Sequence, residues 1–160
     1  MEERMEKQET ERTEQERIMD RARGIVEASE FCKEVGIELV LCEKDHAVGR
    51  IRLGKKHSNP LGDVHGGVLF ALADTICGVA AASRGNGGPT VNGYMDYLRP
   101  VHCEVLYCSA HVVKHGRNLI RSECVLTDEH GKELVKGYFV FLATTQYRDF
   151  HSEEPRSGNS

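Results

Sequence analysis

The stretch with most chemical content is HGGVLFALADTICGVAAA, His65 to Ala82, in which Asp74 is the single formally charged side chain. Burying an unpaired carboxylate costs several kcal/mol, so a helix meant only for the core would carry Ala or Leu there. Asp74 therefore calls for a reason beyond folding. The other end of the same stretch offers chemistry of its own. A helix starting at Gly66 exposes unpaired N–H groups with partial positive charge, and glycine lets a carbonyl oxygen approach them closely. One such donor contributes about 2.7–4 kcal/mol to stabilising an oxyanion. The Gly66 N–H is the candidate donor; His65 reads as a residue that sets the helix start, with direct catalysis as the alternative, and Gly67 as a substrate-binding position or one that serves only close packing.

Other reactive side chains are weaker candidates. Cys77 lies one turn beyond Asp74 but has no identifiable base, and a buried helix thiol is usually inert. Cys32, Cys42, Cys77, Cys103, Cys108 and Cys124 fall singly, without a C-x-x-C pair, and read as reduced filler in a cytoplasmic protein. His111 and His115 would share one face of a strand, but no third ligand accompanies them, so no metal site is expected.

These residues need a frame. Ile37–Cys42 and Ala47–Leu53 read as a hairpin about the turn EKDH, and KKHSNPLGD as the loop that delivers the chain to the helix near Gly66. The helix ends at RGNGGP. Strands follow in TVNGYMDYL, EVLYCSAHVVK, NLIRSECVLTD and ELVKGYFVFLAT, separated by short turns that call for antiparallel pairing. A helix that is apolar nearly all round must be covered on nearly every side. The expected class is therefore α+β, with a curved antiparallel sheet wrapped around one long central helix.

With 160 residues, one domain is expected, at residues 24–148. Residues 1–23 read as a charged arm, helical or disordered, and residues 149–160 as a disordered tail. A net charge of −4 argues against nucleic acid as a main partner. The longest apolar run is too short to span a bilayer, so no membrane association is expected.

NPLGDVHGGVLFALADT, then YLRP, then HGRNLIRSECVLTDEHGKELVKGYFVF, together resemble the hotdog-fold acyl-CoA thioesterases, specifically the phenylacetate-degradation-type branch. The resemblance covers about residues 37–145. It implies a hotdog fold, hydrolysis of an acyl-CoA without bound cofactor or metal, and a homodimer, with a dimer of dimers also expected. It further implies that Asp74 acts as general base or as nucleophile. Asn59 matches the family's Asn, which orients water or the carbonyl, and Thr90 matches a hydroxyl that helps hold the water. Phe70 would wall the acyl pocket, while Lys114 and Arg117, with Arg99 as a second candidate, would meet the coenzyme A phosphates. Asp74 lies eight residues beyond Gly66, roughly 12 Å along a helix, too far for one chain's pair to share a site. If the two act together, Asp74 of one subunit must face Gly66 of another across a two-fold axis.

Two other functions use the same frame. A hotdog dehydratase or hydratase would pair His with an acid, which HGG with Asp74 fits less well. A non-catalytic acyl-CoA-binding sensor would signal through the N-terminal arm, which is too short and acidic to be a DNA-binding helix-turn-helix.

Overall fold

A computed structural model describes residues 2–144, with side-chain detail from residue 13 onward. Six strands form one antiparallel sheet: β1 (Ile37–Glu43), β2 (His46–Arg52), β3 (Thr90–Tyr97), β4 (Val105–His115), β5 (Leu119–Thr127) and β6 (Glu133–Leu142). The helices are α1 (Glu2–Glu27), α2 (Glu30–Val35) and α3 (Gly66–Ala82). α3 packs against the sheet, with Leu69, Leu72, Ala73, Ile76 and Cys77 among its buried residues. Close packing needs a gap in the sheet, and Gly49 on β2 provides it, since a Cβ there would run into Ile76. This is the expected architecture of a sheet around one central helix.

The strand order is β1-β2-β4-β5-β6-β3. The expectation that successive strands pair through short turns holds for β1–β2, β4–β5 and β5–β6 but not for β3–β4. β3 instead crosses to pair with β6, from Thr90↔Phe141 to Tyr97↔Val135. The segment after β3 carries Arg99 and Pro100, and proline removes a ladder donor, which suits a crossover rather than a hairpin. β1 and β3 are thus the two sheet edges.

The N-terminal segment is helical, one of the two forms expected of it, and it docks on the sheet. α1 runs unbroken through residues 23 and 24, where the arm was expected to end and the domain to begin. Ile18, Ala22 and Val26 recur every fourth residue and are buried, so a narrow apolar stripe docks a helix that is otherwise charged. Gln15 Nε2 donates to the Cys42 carbonyl at 2.8 Å, and Arg21 donates to the Ser83 carbonyl at 3.1 Å. α2 is capped at both ends. Ser29 accepts from the Cys32 N–H, and Gly36, at φ 85°, closes it in the left-handed conformation.

Among the described residues no helix is long and apolar enough to cross a membrane. All six cysteines are free. The expected tail at 149–160 lies outside the described residues.

Candidate active site

The loop before α3 fixes where the helix begins. His57, buried, accepts from the Gly54 N–H through Nδ1 and bonds the Val35 carbonyl through Nε2 at 2.6 Å, and its own carbonyl accepts from the His65 N–H. Asn59 folds its side chain into the same loop. Its Oδ1 accepts from the Leu61 and Asp63 N–H groups at 2.9 and 3.0 Å, leaving the Nδ2 protons as its outward-facing donors.

His65 is the N-cap of α3, and its Nδ1 accepts from the Gly67 N–H at 2.8 Å. That bond occupies the Gly67 donor and leaves the Gly66 N–H without a partner among the described residues. A Cβ at Gly66 would come no closer than 3.7 Å to Tyr97 Oη. The helix start borders a recess of about 380 Å³ that includes Asp63, Tyr97 and Arg99. Tyr97 was not singled out from sequence, where it is one apolar member of an alternating strand. Its hydroxyl donates to the Gly66 carbonyl at 3.4 Å, and burial raises its pKa. Arg99 donates through Nη1 to the Glu133 carbonyl at 2.8 Å.

Two turns further along α3, Asp74 is half-buried. Its Oδ1 accepts from the Thr90 hydroxyl at 2.8 Å, so Thr90 at the start of β3 meets Asp74 within one chain. Burial pushes the Asp74 carboxyl above its ordinary value, and the Thr90 hydrogen bond partly opposes the rise. Asp74 lines a cavity of about 320 Å³ that also touches Gly78, Pro89 and Phe141. Phe70 is not part of this cavity's lining. It packs edge-on against Phe139 at 5.2 Å. The residues that wall the cavity include Ile25, Ala28 and Cys32 from the α1–α2 corner, none of which stood out as a site residue in the sequence.

Lys114 and Arg117 are exposed around the β4–β5 turn. His115 Nε2 meets Asn86 Oδ1 at 2.9 Å, which ties this turn to the loop bordering the Asp74 cavity. His111 and His115 do not share a face. A bulge between Val112 and Lys114 shifts the register, so His111 pairs with exposed Glu123 and stacks on His46, whereas His115 pairs with buried Ile120. Cys77 is fully buried, and burial holds its thiol well above the usual cysteine range, which leaves it protonated and poorly nucleophilic.

A single long helix laid against a six-stranded antiparallel sheet, with an acid at its middle and a glycine start, defines a hotdog-fold protein. The Thioesterase superfamily model matches residues 61–135. Human acyl-coenzyme A thioesterase 13 is 28% identical over 120 residues, covering 72% of this chain and 86% of that protein. A Streptococcus pneumoniae hypothetical thioesterase, solved with coenzyme A, is 28% identical with a TM-score of 0.64, covering 68% of this chain and 85% of that one. The Escherichia coli PaaI protein from the phenylacetic acid degradation operon is similar in fold, at 22% identity and a TM-score of 0.76 over 81% of this chain and 94% of its own.

Proposed function

We propose that the protein hydrolyses acyl-CoA thioesters to free acid and CoA, at two equivalent sites each built from both subunits of a symmetric dimer. The observation that carries this reading is the Asp74 carboxylate, held by Thr90 beside an apolar cavity and raised in basicity by burial. The relatives add support: the human one is named an acyl-coenzyme A thioesterase, and the Streptococcus pneumoniae protein was crystallised with coenzyme A. In the proposed step, Asp74 takes a proton from water as its oxygen bonds to the thioester carbonyl carbon. The Gly66 N–H of the other subunit stabilises the oxyanion, the C–S bond then breaks, and the leaving sulfur takes a proton from the Asp74 acid. Asn59 Nδ2 is available to orient the water or the carbonyl.

The dimer is supported by an edge that the chain leaves bare. Among the described residues β3 is unpaired on its outer side, and Val91, Tyr94 and Tyr97 are more than half exposed, at 54%, 59% and 53%. A second copy pairing there would cover both the apolar side chains and the free backbone groups. Arg99, Lys114 and Arg117 are proposed to meet the coenzyme A phosphates, Arg99 from the recess at Gly66 and the other two from the turn beside the Asp74 cavity. The test is a thiol-release assay across acyl-CoAs with Asp74→Asn beside the wild type. Release by the wild type that disappears in the variant is the expected outcome; no release by the wild type, or full activity in the variant, refutes the reading.

A further inference from the structure

The cavity beside Asp74 has a direction. Asp74, Gly78 and Ala82 recur every fourth residue on one face of α3, and all three line it. The cavity therefore runs along the helix for up to roughly 12 Å, from the carboxylate toward the C-terminal end. Its floor includes Val79 and Phe141. Gly78 is costly in a helix interior, by about 1 kcal/mol against Ala, and a Cβ there would press on Phe141 at 3.3 Å and narrow the space. One further wall comes from Gly88, Pro89 and Thr90, and another from Ile25, Ala28 and Cys32 of the α1–α2 corner. That wall is pinned near the cavity's end by Arg21, which bonds the Ser83 carbonyl just past Ala82. The corner also lies outside residues 61–135, the span the superfamily model matches.

We propose that the α1–α2 corner is the chain-length gauge of the site: it closes the acyl cavity and restricts the enzyme to short- and medium-chain apolar acyl groups. This rests on the hydrolase reading above. A volume of about 320 Å³ is at the small end of ligand pockets, and a lining that carries no charge besides Asp74 and is mostly apolar, with Ser29, Thr75 and Thr90 as the polar exceptions, suits a hydrocarbon tail rather than a charged one. An acyl group whose carbonyl sits at Asp74 would lie along Gly78 and Val79 and end against Ile25 and Ala28.

The test compares kcat/KM for acetyl-, butyryl-, hexanoyl- and decanoyl-CoA in full-length wild type, Ala28→Phe and Ile25→Ala. Ala28→Phe fills the end of the cavity and should lower the ratio of hexanoyl to acetyl turnover about tenfold, the scale on which an apolar pocket discriminates. Ile25→Ala lengthens the cavity and should raise the ratio of decanoyl to hexanoyl turnover. If Ala28→Phe does not fold by circular dichroism, the Ile25→Ala ratio decides alone. Ratios that move less than twofold in the folded variants overturn the gauge while leaving hydrolysis intact. If the wild type cleaves no acyl-CoA, the hydrolase reading fails instead, and the same ratios are measured as calorimetric binding of non-hydrolysable thioether analogues. Binding ratios that do not follow the two substitutions then overturn the gauge as well.

Discussion

The two edges of the sheet are finished in opposite ways. At β1 the chain covers its own edge: Ile18, Ala22 and Val26 of α1 are buried, and Gln15 reaches the Cys42 carbonyl, so one free backbone acceptor already has a donor. At β3 no such cover is present among the described residues, and Val91, Tyr94, Tyr97 and Leu98 face outward. Exposed edges invite pairing with another chain, and proteins commonly blunt them. The contrast teaches where a second copy belongs. The open edge begins at Thr90, the residue that holds Asp74, and ends at Tyr97, the residue beside Gly66. Both halves of the proposed site therefore lie against the edge that is left bare, and neither lies at the edge that is closed.

The largest effect is expected at Asp74. Asp74→Asn keeps an oxygen that can accept from Thr90 but removes the base, and kcat should fall by about 10²–10⁴-fold. Its stability should move the other way. Because the folded-state pKa is raised, the native protein holds a proton that the unfolded chain has lost, between the ordinary carboxyl value of 3.8 and the raised one. Stability from this group is therefore present below that window and falls as pH rises through it. At neutral pH the Asn variant should melt higher than wild type while being nearly inactive, as circular dichroism beside the thiol assay would reveal. A variant that is both inactive and less stable would point to a structural acid.

The next effect breaks the edge comparison directly. Asp74→Asn and Gly66→Val should each give nearly inactive homodimers. Mixed after dissociation and reassociation, they should recover about a quarter of wild-type activity, because half the dimers are mixed and each holds one intact site of two. A site contained in one chain recovers nothing. Val91→Lys with Tyr94→Lys should separately shift the protein toward monomer in sedimentation and lower activity in step.

How much of this was legible in the sequence follows the same division. α3, its start at Gly66 and the acid at Asp74 could be read because an apolar helix makes one charge and two glycines conspicuous. The hairpins could be read because turn residues punctuate alternating strands. What escaped depended on contacts distant in sequence. The β3–β6 pairing leaves no local mark, since alternation shows that a strand exists but not its neighbour. The docking of α1, whose helix was one of two forms expected, escaped because three buried residues in a stripe are too few to outweigh its charge. Thr90 could be matched to a family position, but only the fold brings its hydroxyl to 2.8 Å from Asp74. The bulge that separates His111 from His115 is likewise invisible to a period-two reading.

At the closed edge the expected loss is in stability rather than chemistry. Ile18→Ala leaves a cavity under α1 and should cost about 2–5 kcal/mol, the range for truncating a buried aliphatic side chain. Chemical denaturation should show the loss, while the folded fraction keeps its dimer and its turnover of acetyl-CoA. A drop in acetyl-CoA kcat matching that of Asp74→Asn would mean that the two edges are not separate in function.

The smallest effect belongs to Thr90, where the open edge meets the site. Its hydroxyl donates to the ionised form of Asp74 and so lowers a pKa that burial raises. Thr90→Val keeps the shape and removes the donor, leaving the burial effect unopposed. The carboxylate would then exist only at higher pH, so the acid limb of the kcat profile should move up, with the basic limb in place. Above that limb kcat should change little if Thr90 only tunes the base, and should fall along with the shift if the hydroxyl also holds the water. An acid limb that stays put would mean that Asp74 does not set the profile, whatever the size of the rate loss.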